Sequence, residues 1–411
     1  MEKLYEYGKR LKKASKKICS TYEKNQALYE IIKSLQKHSK NILEENQKDI
    51  ANARSQGISE SLIDRLSLNE DRLNAIIDSV NTVIKLPDPV GATDSGKTLE
   101  NGMQLSKVSV PLGVLSIIYE SRPNVTVDAT VLAIKSGNCV LLRGSSSAIN
   151  SNKAIVLAIR EGLEQSAVPA DSCLLLEDTN RDLVLQLLKM NEYLDLVIPR
   201  GGAELIDFVV KNATVPTIET GVGNCHLFID KSADFDMALN IAKNGKVQRP
   251  SVCNSIETLL VHRDIAKTFL PLLDKKIGDK VEFFGCDETA KYLNCKKATE
   301  NEYKTEFLDY ILAIKVVDDI DEAIEHIDTY TSYHSECIVT NDYKNSQKFT
   351  LQVNSACVYV NASTRFTDGG EFGFGCEMGI STQKMHVRGP VGLEHLVSSK
   401  YVILGNGQIR G

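Results

Sequence analysis

"VTVDATVLAIKSGNCVLLRG", residues 125–144, carries the pattern that decides the fold. Its opening, rich in Val, Leu and Ala and closed by Ser136 and Gly137, reads as a helix with a glycine stop. The next residues, "NCVLLRG", form a short apolar run ending on glycine and read as a buried strand. The alternation continues downstream: "NSNKAIVLAIREGLEQSA" (150–167) as helix, "CLLLED" (173–178) as strand, "RDLVLQLLKM" (181–190) as helix, "LDLVIPRG" (194–201) as strand. Short aliphatic strands separated by amphipathic helices indicate a parallel sheet covered on both faces. A second series opens at "CHLFID" (225–230) and runs through "SIETLLVH" (255–262) and "YILAIKVV" (310–317), which predicts a second sheet.

Upstream the pattern changes. Up to about residue 84 it is helical, with Leu73, Ile76, Ile77 and Val80 repeating on one face. "LPDPVGATDSG" (86–96) reads as a connection, and "GMQLSKVSVPLGVLSIIYE" (102–120) alternates like extended strands. The whole chain, 411 residues with 42% hydrophobic and 25% charged, has room for two or three domains. A net charge of -6 and a pI near 5.8 argue against nucleic acid or an anionic membrane as the main partner. No apolar stretch is long enough for a membrane span, and the charged N-terminal twenty residues lack a signal core. Ten scattered cysteines form no zinc or disulfide pattern, and His386 and the other histidines have no metal-binding spacing. Reduced thiols in a cytoplasm and a metal-free site are the expectation.

Doubly wound sheets bind ligands beyond the carboxyl ends of their strands. Three such ends carry polar, glycine-containing turns: "LLRGSSSA" (141–148), "VIPRGGAE" (197–204) and "IETGVGN" (218–224). None is a GxGxxG or Walker motif, yet together they favour a nucleotide site. Farther on, "KNGKVQRPSVCNSIETLLVH" (243–262) places one cysteine, Cys253, between a helix stopped by Pro250 and a strand. A cysteine there is either a packing residue or a nucleophile at the mouth of a site.

"PTIETGVGNCH" (216–226) followed by "VQRPSVCNSIETLLVH" (247–262) resembles the glutamate and cysteine signatures of the aldehyde dehydrogenase superfamily. "GVLSIIYESRPNVTVDA" (113–129), "LLRGSSSAINSN" (141–152) and "EFGFGCEMGISTQKMHVRGPVGLEHL" (371–396) are similar to its branch that reduces gamma-glutamyl phosphate. The resemblance runs from about residue 100 to the end. It implies an aldehyde dehydrogenase-like α/β fold with two doubly wound parallel-sheet domains and a small oligomerisation element. The expected spans are 1–97 and 111–224 for an NADP-binding domain, 225–385 for the catalytic domain, and 98–110 with 386–411 for oligomerisation. It also implies NADP(H), the substrate gamma-glutamyl phosphate, a homo-oligomer, and a glutamate kinase as the partner that supplies the acyl phosphate. A hydrolysing NAD(P)-linked dehydrogenase and a catalytically silent nucleotide-binding protein are the alternatives.

Site residues follow from the same resemblance. Cys253 takes the nucleophile's position: a thiolate attacks the acyl phosphate, expels phosphate and leaves a thioester that accepts hydride. Arg249 is the sequence-local cation for that thiolate. Asn124, with the backbone N–H of Cys253, matches the oxyanion donors, each worth roughly 3 kcal/mol. Glu219 stands at the superfamily's glutamate, 34 residues before Cys253. "ETGVGN" replaces the usual Glu-Leu-Gly-Gly run, and hydrolysis would waste the acyl-enzyme, which leaves a structural carboxylate or a proton relay as alternatives. Arg143, Ser145 and Ser146 match the adenosine-ribose position, where arginine and serine in place of a carboxylate favour a 2′-phosphate. Gly201 and Gly202 match the pyrophosphate turn, and Glu306 the nicotinamide-ribose glutamate, although the residues after it depart from Ile-Phe-Gly-Pro. Arg122, Arg249, Arg365 and Arg388 are the candidates for the anionic substrate.

Overall fold

The computed structural model describes residues 2–410, the side chain of Ser61 apart, so the end positions 1 and 411 of the expected spans lie outside it. The helical start consists of α1 (Glu2–Ala14), α2 (Thr21–Lys37), α3 (Ser39–Ser55), α4 (Glu60–Leu66) and α5 (Glu70–Lys85). Local chemistry sets its boundaries. Ser20 and Glu23 form a capping box at the start of α2, and Asn69 caps α5 through the Arg72 N–H. On α5, Leu73, Ile76, Ile77 and Val80 are buried as their spacing predicts.

Next come β1 (Thr93–Thr98), β2 (Gln104–Pro111), β3 (Val114–Tyr119), α6 (Pro123–Lys135), β4 (Cys139–Gly144) and α7 (Ile149–Glu164). They are followed by β5 (Cys173–Leu175), α8 (Arg181–Leu187), β6 (Leu196–Arg200) and α9 (Ala203–Asn212). Strands β5-β4-β3-β6 pair in that order, all parallel, and every residue of β3 and β4 is buried. One face, through Val114, Ile118, Leu141 and Val197, packs on Leu4 and Leu11 of α1 and on Leu187 and Val209. The chain steps from β3 to β4 and β5 on one side, then to β6 on the other. The topological switch therefore lies between β3 and β6.

The second sheet is built from β7 (Cys225–Ile229), α10 (Phe235–Val247), β8 (Ile256–His262), α11 (Arg263–Ile277), β9 (Glu282–Gly285), β10 (Lys296–Lys297) and α12 (Glu300–Lys304). It continues with β11 (Ile311–Val317), α13 (Ile320–Tyr330), β12 (Ser335–Val339), α14 (Tyr343–Gln352) and β13 (Cys357–Val360). Its order, β10-β9-β11-β8-β7-β12-β13, is parallel throughout. Alternate residues serve opposite cores: Leu227 and Ile229 pack with the Phe269 side, Phe228 with the Phe349 side. Here the switch falls between β7 and β12.

Short strands β14 (Ile380–Ser381) and β15 (Gly389–Pro390) pair antiparallel, and β16 (Val397–Leu404) ends the chain's regular structure. β1, β2 and β16 form an antiparallel sheet, Val397 opposite Pro111 and Leu404 opposite Gln104. The chain divides into two compact units. The first takes the chain to Glu219, then Gly373–Gly379 and the stretch from Val391 on; the second is Thr220–Phe372 with Ile380–Pro390. Among the described residues no helix is long and apolar enough to cross a membrane, and no group of His, Cys, Asp and Glu could hold a metal ion.

Candidate active site

In the first unit the carboxyl ends of β3, β4 and β6 gather polar groups. Ser121, just beyond β3, has φ +38, a conformation costly for a residue with a side chain. Its N–H donates to Ser145 Oγ at 3.2 Å, and its hydroxyl meets Ser147 Oγ at 2.9 Å. Ser146, at the start of the short turn after β4, is exposed. Beyond β6 the Gly202 N–H donates to Glu120 Oε2 at 2.9 Å, while a Cβ on Gly201 would strike that carboxylate and Leu205. Asn124 sits in the first turn of α6 and gives an amide hydrogen to Asp128 Oδ2 at 3.0 Å. Arg122 is the residue before that helix.

Arg143 lies in β4 with 9% of its surface exposed. It donates to Thr179 O at 2.9 Å, and its Nε has no hydrogen-bond partner. Burial, then the nearby Arg181, pushes the Arg143 guanidinium's pKa down. An anion between the two arginines would relieve both costs. Arg181 escaped the sequence reading because its pairing with Arg143 depends on α8 starting beside β4's end.

In the second unit Pro250 stops α10, and Cys253 occupies the tight turn before β8. Both sides of that turn are fixed. Ser255 N–H donates to Val252 O at 3.0 Å and its hydroxyl to Gly245 O at 2.9 Å. Asn254 Nδ2 donates to Thr367 O at 2.9 Å, and Thr364 Oγ1 returns a bond to Asn254 O at 2.7 Å. Gly223 closes the other side: a Cβ there would lie 1.6 Å from Cys253 O, so no other residue fits without moving the turn. That contact gives the second glycine of "ETGVGN" its reason. Cys225 Sγ also donates to Cys253 O, at 3.2 Å.

Glu306 joins the same cluster, its Oε1 accepting the Gly223 N–H at 2.8 Å. The loop that carries it contains Leu308 with φ +55, held by a 3.2 Å bond from its N–H to Glu257 Oε1. Glu257 is itself paired with Lys246 at 2.5 Å, both fully buried. Burial pushes the Glu257 carboxyl up to about 7 and the Lys246 ammonium down, the direction expected when both charges leave water.

Arg365 adds a cation to this neighbourhood. Its guanidinium donates to Asn254 Oδ1 and, at 3.2 Å, to Gln248 Oε1. Burial and Arg249 lower its pKa, whereas Asp368 and Cys253 favour its charge. Arg365, named from the sequence as a candidate for the anionic substrate, thus shares the neighbourhood of Cys253 with Arg249. Arg388 instead reaches Asn354, through Nη1 at 3.0 Å. Glu219 is half-buried at the last position of the first unit's leading segment.

The sequence pattern of the Aldehyde dehydrogenase family matches residues 9–283. The gamma-glutamyl phosphate reductase of Alkaliphilus oremlandii is 56% identical over 412 residues, covering 100% of both chains. The chain belongs to the gamma-glutamyl phosphate reductase branch of the aldehyde dehydrogenase family. The crystal structure of gamma-glutamyl phosphate reductase from Thermotoga maritima superposes with a TM-score of 0.94 at 51% identity, covering 99% of this chain and 100% of that one. An acetylating aldehyde dehydrogenase from Geobacillus thermoglucosidasius shares the fold at a TM-score of 0.75 and 17% identity, over 100% of this chain and 98% of that one. Membership of the aldehyde dehydrogenase family carries with it a nicotinamide nucleotide cofactor.

Proposed function

We propose that this chain reduces gamma-glutamyl phosphate to glutamate 5-semialdehyde and phosphate with NADPH, a step of proline biosynthesis, in the cytoplasm. The observation that carries the reading is the full-length 56% identity to a reductase of that name. Cys253 is the nucleophile: its sulfur bonds to the acyl carbon, the carbon–oxygen bond to phosphate breaks, and phosphate leaves. Arg365 and Arg249 favour the thiolate before attack and the departing phosphate after it. Asn124 and the Cys253 N–H donate to the oxygen of the tetrahedral intermediate. Glu219 serves as a structural carboxylate or proton relay. Arg122 and Arg388 are the remaining candidates for the substrate's charged groups.

The first unit's residues suit a phosphorylated dinucleotide. Arg143 has an unpartnered buried Nε and a second arginine beside it, and Gly201 leaves a place where a Cβ would clash. Arg143, Ser145 and Ser146 would hold the adenosine ribose and its 2′-phosphate, Gly201 and Gly202 the pyrophosphate, and Glu306 the nicotinamide ribose. When bound, the cofactor supplies the hydride that reduces the Cys253 thioester. Gly223 and Glu306 keep the sulfur's turn fixed throughout. The expected spans for these roles remain 1–97 with 111–224, 225–385, and 98–110 with 386–411. The antiparallel sheet, with Tyr401, Ile403 and Leu404 all more than half exposed, is the surface proposed to join copies in a homo-oligomer. A glutamate kinase would supply the labile acyl phosphate.

The test is to follow NADP reduction by glutamate 5-semialdehyde with and without inorganic phosphate. Strict dependence on phosphate is expected. Oxidation without phosphate would mark a hydrolysing dehydrogenase, and no turnover with either would mark a nucleotide-binding protein.

A further inference from the structure

Cys225 opens β7, and the ladder to β8 slips beside it. Cys225 lies opposite Ile256 and His226 opposite Thr258, so Glu257 is passed over. Irregularities of this kind recur next to active sites, where they change the aim of a side chain. At this one the fully buried Cys225 thiol donates to Cys253 O at 3.2 Å. The turn before it serves the same carbonyl: Gly223, which packs against Cys253 O, accepts the Cys225 N–H at 3.0 Å. Burial, then the charge of Glu336, pushes the Cys225 thiol well above its ordinary value. The sulfur therefore keeps its proton at neutral pH and stays a donor.

The contact continues on the sulfur's other side. His334 Nδ1 lies 3.6 Å from Cys225 Sγ and 2.8 Å from Ser335 Oγ, which in turn meets Thr367 Oγ1 at 2.7 Å. Thr367 is also the residue whose carbonyl holds Asn254 Nδ2. A ring of polar contacts thus leaves Cys253 O, passes through Cys225, His334, Ser335 and Thr367, and returns at Asn254, the next residue in the chain. Every member side chain is buried. In such a network a lost bond is not replaced by water, and the remaining members loosen with it.

We propose that Cys225 is a positioning residue for acyl transfer: its S–H fixes the Cys253 carbonyl, and with it the direction of the Cys253 sulfur and N–H. This role rests on the reading of Cys253 as the nucleophile. The sulfur must meet the acyl carbon and the N–H its oxygen, so a small rotation of that residue misplaces both. Holding one carbonyl makes no contact with substrate or cofactor. Its loss should therefore fall on the chemical step and spare binding.

The experiment compares full-length Cys225→Ala with Cys225→Ser, which are close in volume while only serine keeps a donor. Rates are followed with glutamate 5-semialdehyde, NADP and phosphate. Cys225→Ala should lower kcat about tenfold with the KM values for semialdehyde and NADP within about twofold, and Cys225→Ser should recover most of the loss. If the alanine protein does not fold, Cys225→Val and Cys225→Thr, matched in shape, make the same comparison. Equal losses with and without the donor, an unchanged kcat without it, or a loss carried by KM overturns the role. Cys253→Ala separates this from the reading beneath it. Substantial turnover in that variant removes the nucleophile itself, whereas an inactive Cys253→Ala beside a fully active Cys225→Ala removes only the positioning.

Discussion

The two parallel sheets gather their candidate site residues at opposite ends. In the first, the carboxyl ends of β3, β4 and β6 carry serines, paired glycines and a half-satisfied arginine. In the second, the turn of Cys253, Gly223 and the Glu306 loop all precede their strands, at the amino ends. Its carboxyl-end crevice between β7 and β12 is filled by the protein itself. Asp230 is fully buried there and accepts from Thr340 Oγ1 at 2.7 Å, Ser232 Oγ at 2.8 Å and Asn345 Nδ2 at 3.1 Å. A switch point is therefore an opportunity that the sequence can take or close. Glycine and unpaired donors leave it open, and one satisfied carboxylate closes it.

The largest effect should come from the amino-end turn itself. Cys253→Ala is expected to lower turnover on the order of 10⁴-fold or more while cofactor binding survives, measured by steady-state rates and fluorescence titration. Substantial residual rate would remove the chemistry from that end. Next, Asn124→Ala should lower kcat about a hundredfold, whereas Glu219→Gln should leave substantial reduction. The reverse order would make Glu219 an acid or base.

The glycines separate the two ends more finely. A Cβ at Gly223 meets the Cys253 main chain, but one at Gly201 meets the movable end of Glu120. Gly223→Ala should cost roughly tenfold or more in kcat, and Gly201→Ala should chiefly raise the cofactor KM. Equal kcat losses would erase the distinction. For the open crevice, NADP(H) should be preferred by about tenfold or more, and Ser146→Glu should shift kcat/KM towards NAD(H). No shift would show that this turn does not read the ribose.

The smallest effect on rate belongs to the filled crevice. Burial raises the Asp230 pKa, but the hydrogen bonds from Thr340, Ser232 and Asn345 outweigh it and hold the carboxyl below its usual value. Its stabilising contribution is therefore complete above the unfolded value, about pH 4, and drains away as pH falls through the lower folded value. Asp230→Asn should cost about 2–3 kcal/mol in urea unfolding at pH 7 and flatten the acid limb, with kcat unchanged. A loss of kcat would mean that the crevice takes part in the reaction.

The parallel sheets were legible because buried strands are aliphatic runs between glycines and helices, and "NCVLLRG" and "CHLFID" fall where β4 and β7 are found. "CLLLED" promised more strand than exists. Only Cys173–Leu175 is strand, and Glu177 and Asp178 are exposed. β1 begins inside the stretch read as a connection, since all six of its residues are exposed and pairing with β2, not a buried apolar face, makes it a strand. Motif residues could be named one by one, but the contacts that set their chemistry are long-range. Arg365 on Asn254, Glu306 on Gly223 and Arg181 beside Arg143 leave no periodic trace in the chain.

The path of the chain has a consequence for how the molecule is made. Asn138, buried at the start of β4, donates its side-chain amide to Leu396 O at 2.8 Å, and β2 waits for β16 along its whole length. A ribosome finishing the second unit has therefore not yet delivered the last pieces of the first. The free edge of β2 must therefore wait for β16, and the antiparallel sheet is completed only after the residues of the second unit have been made.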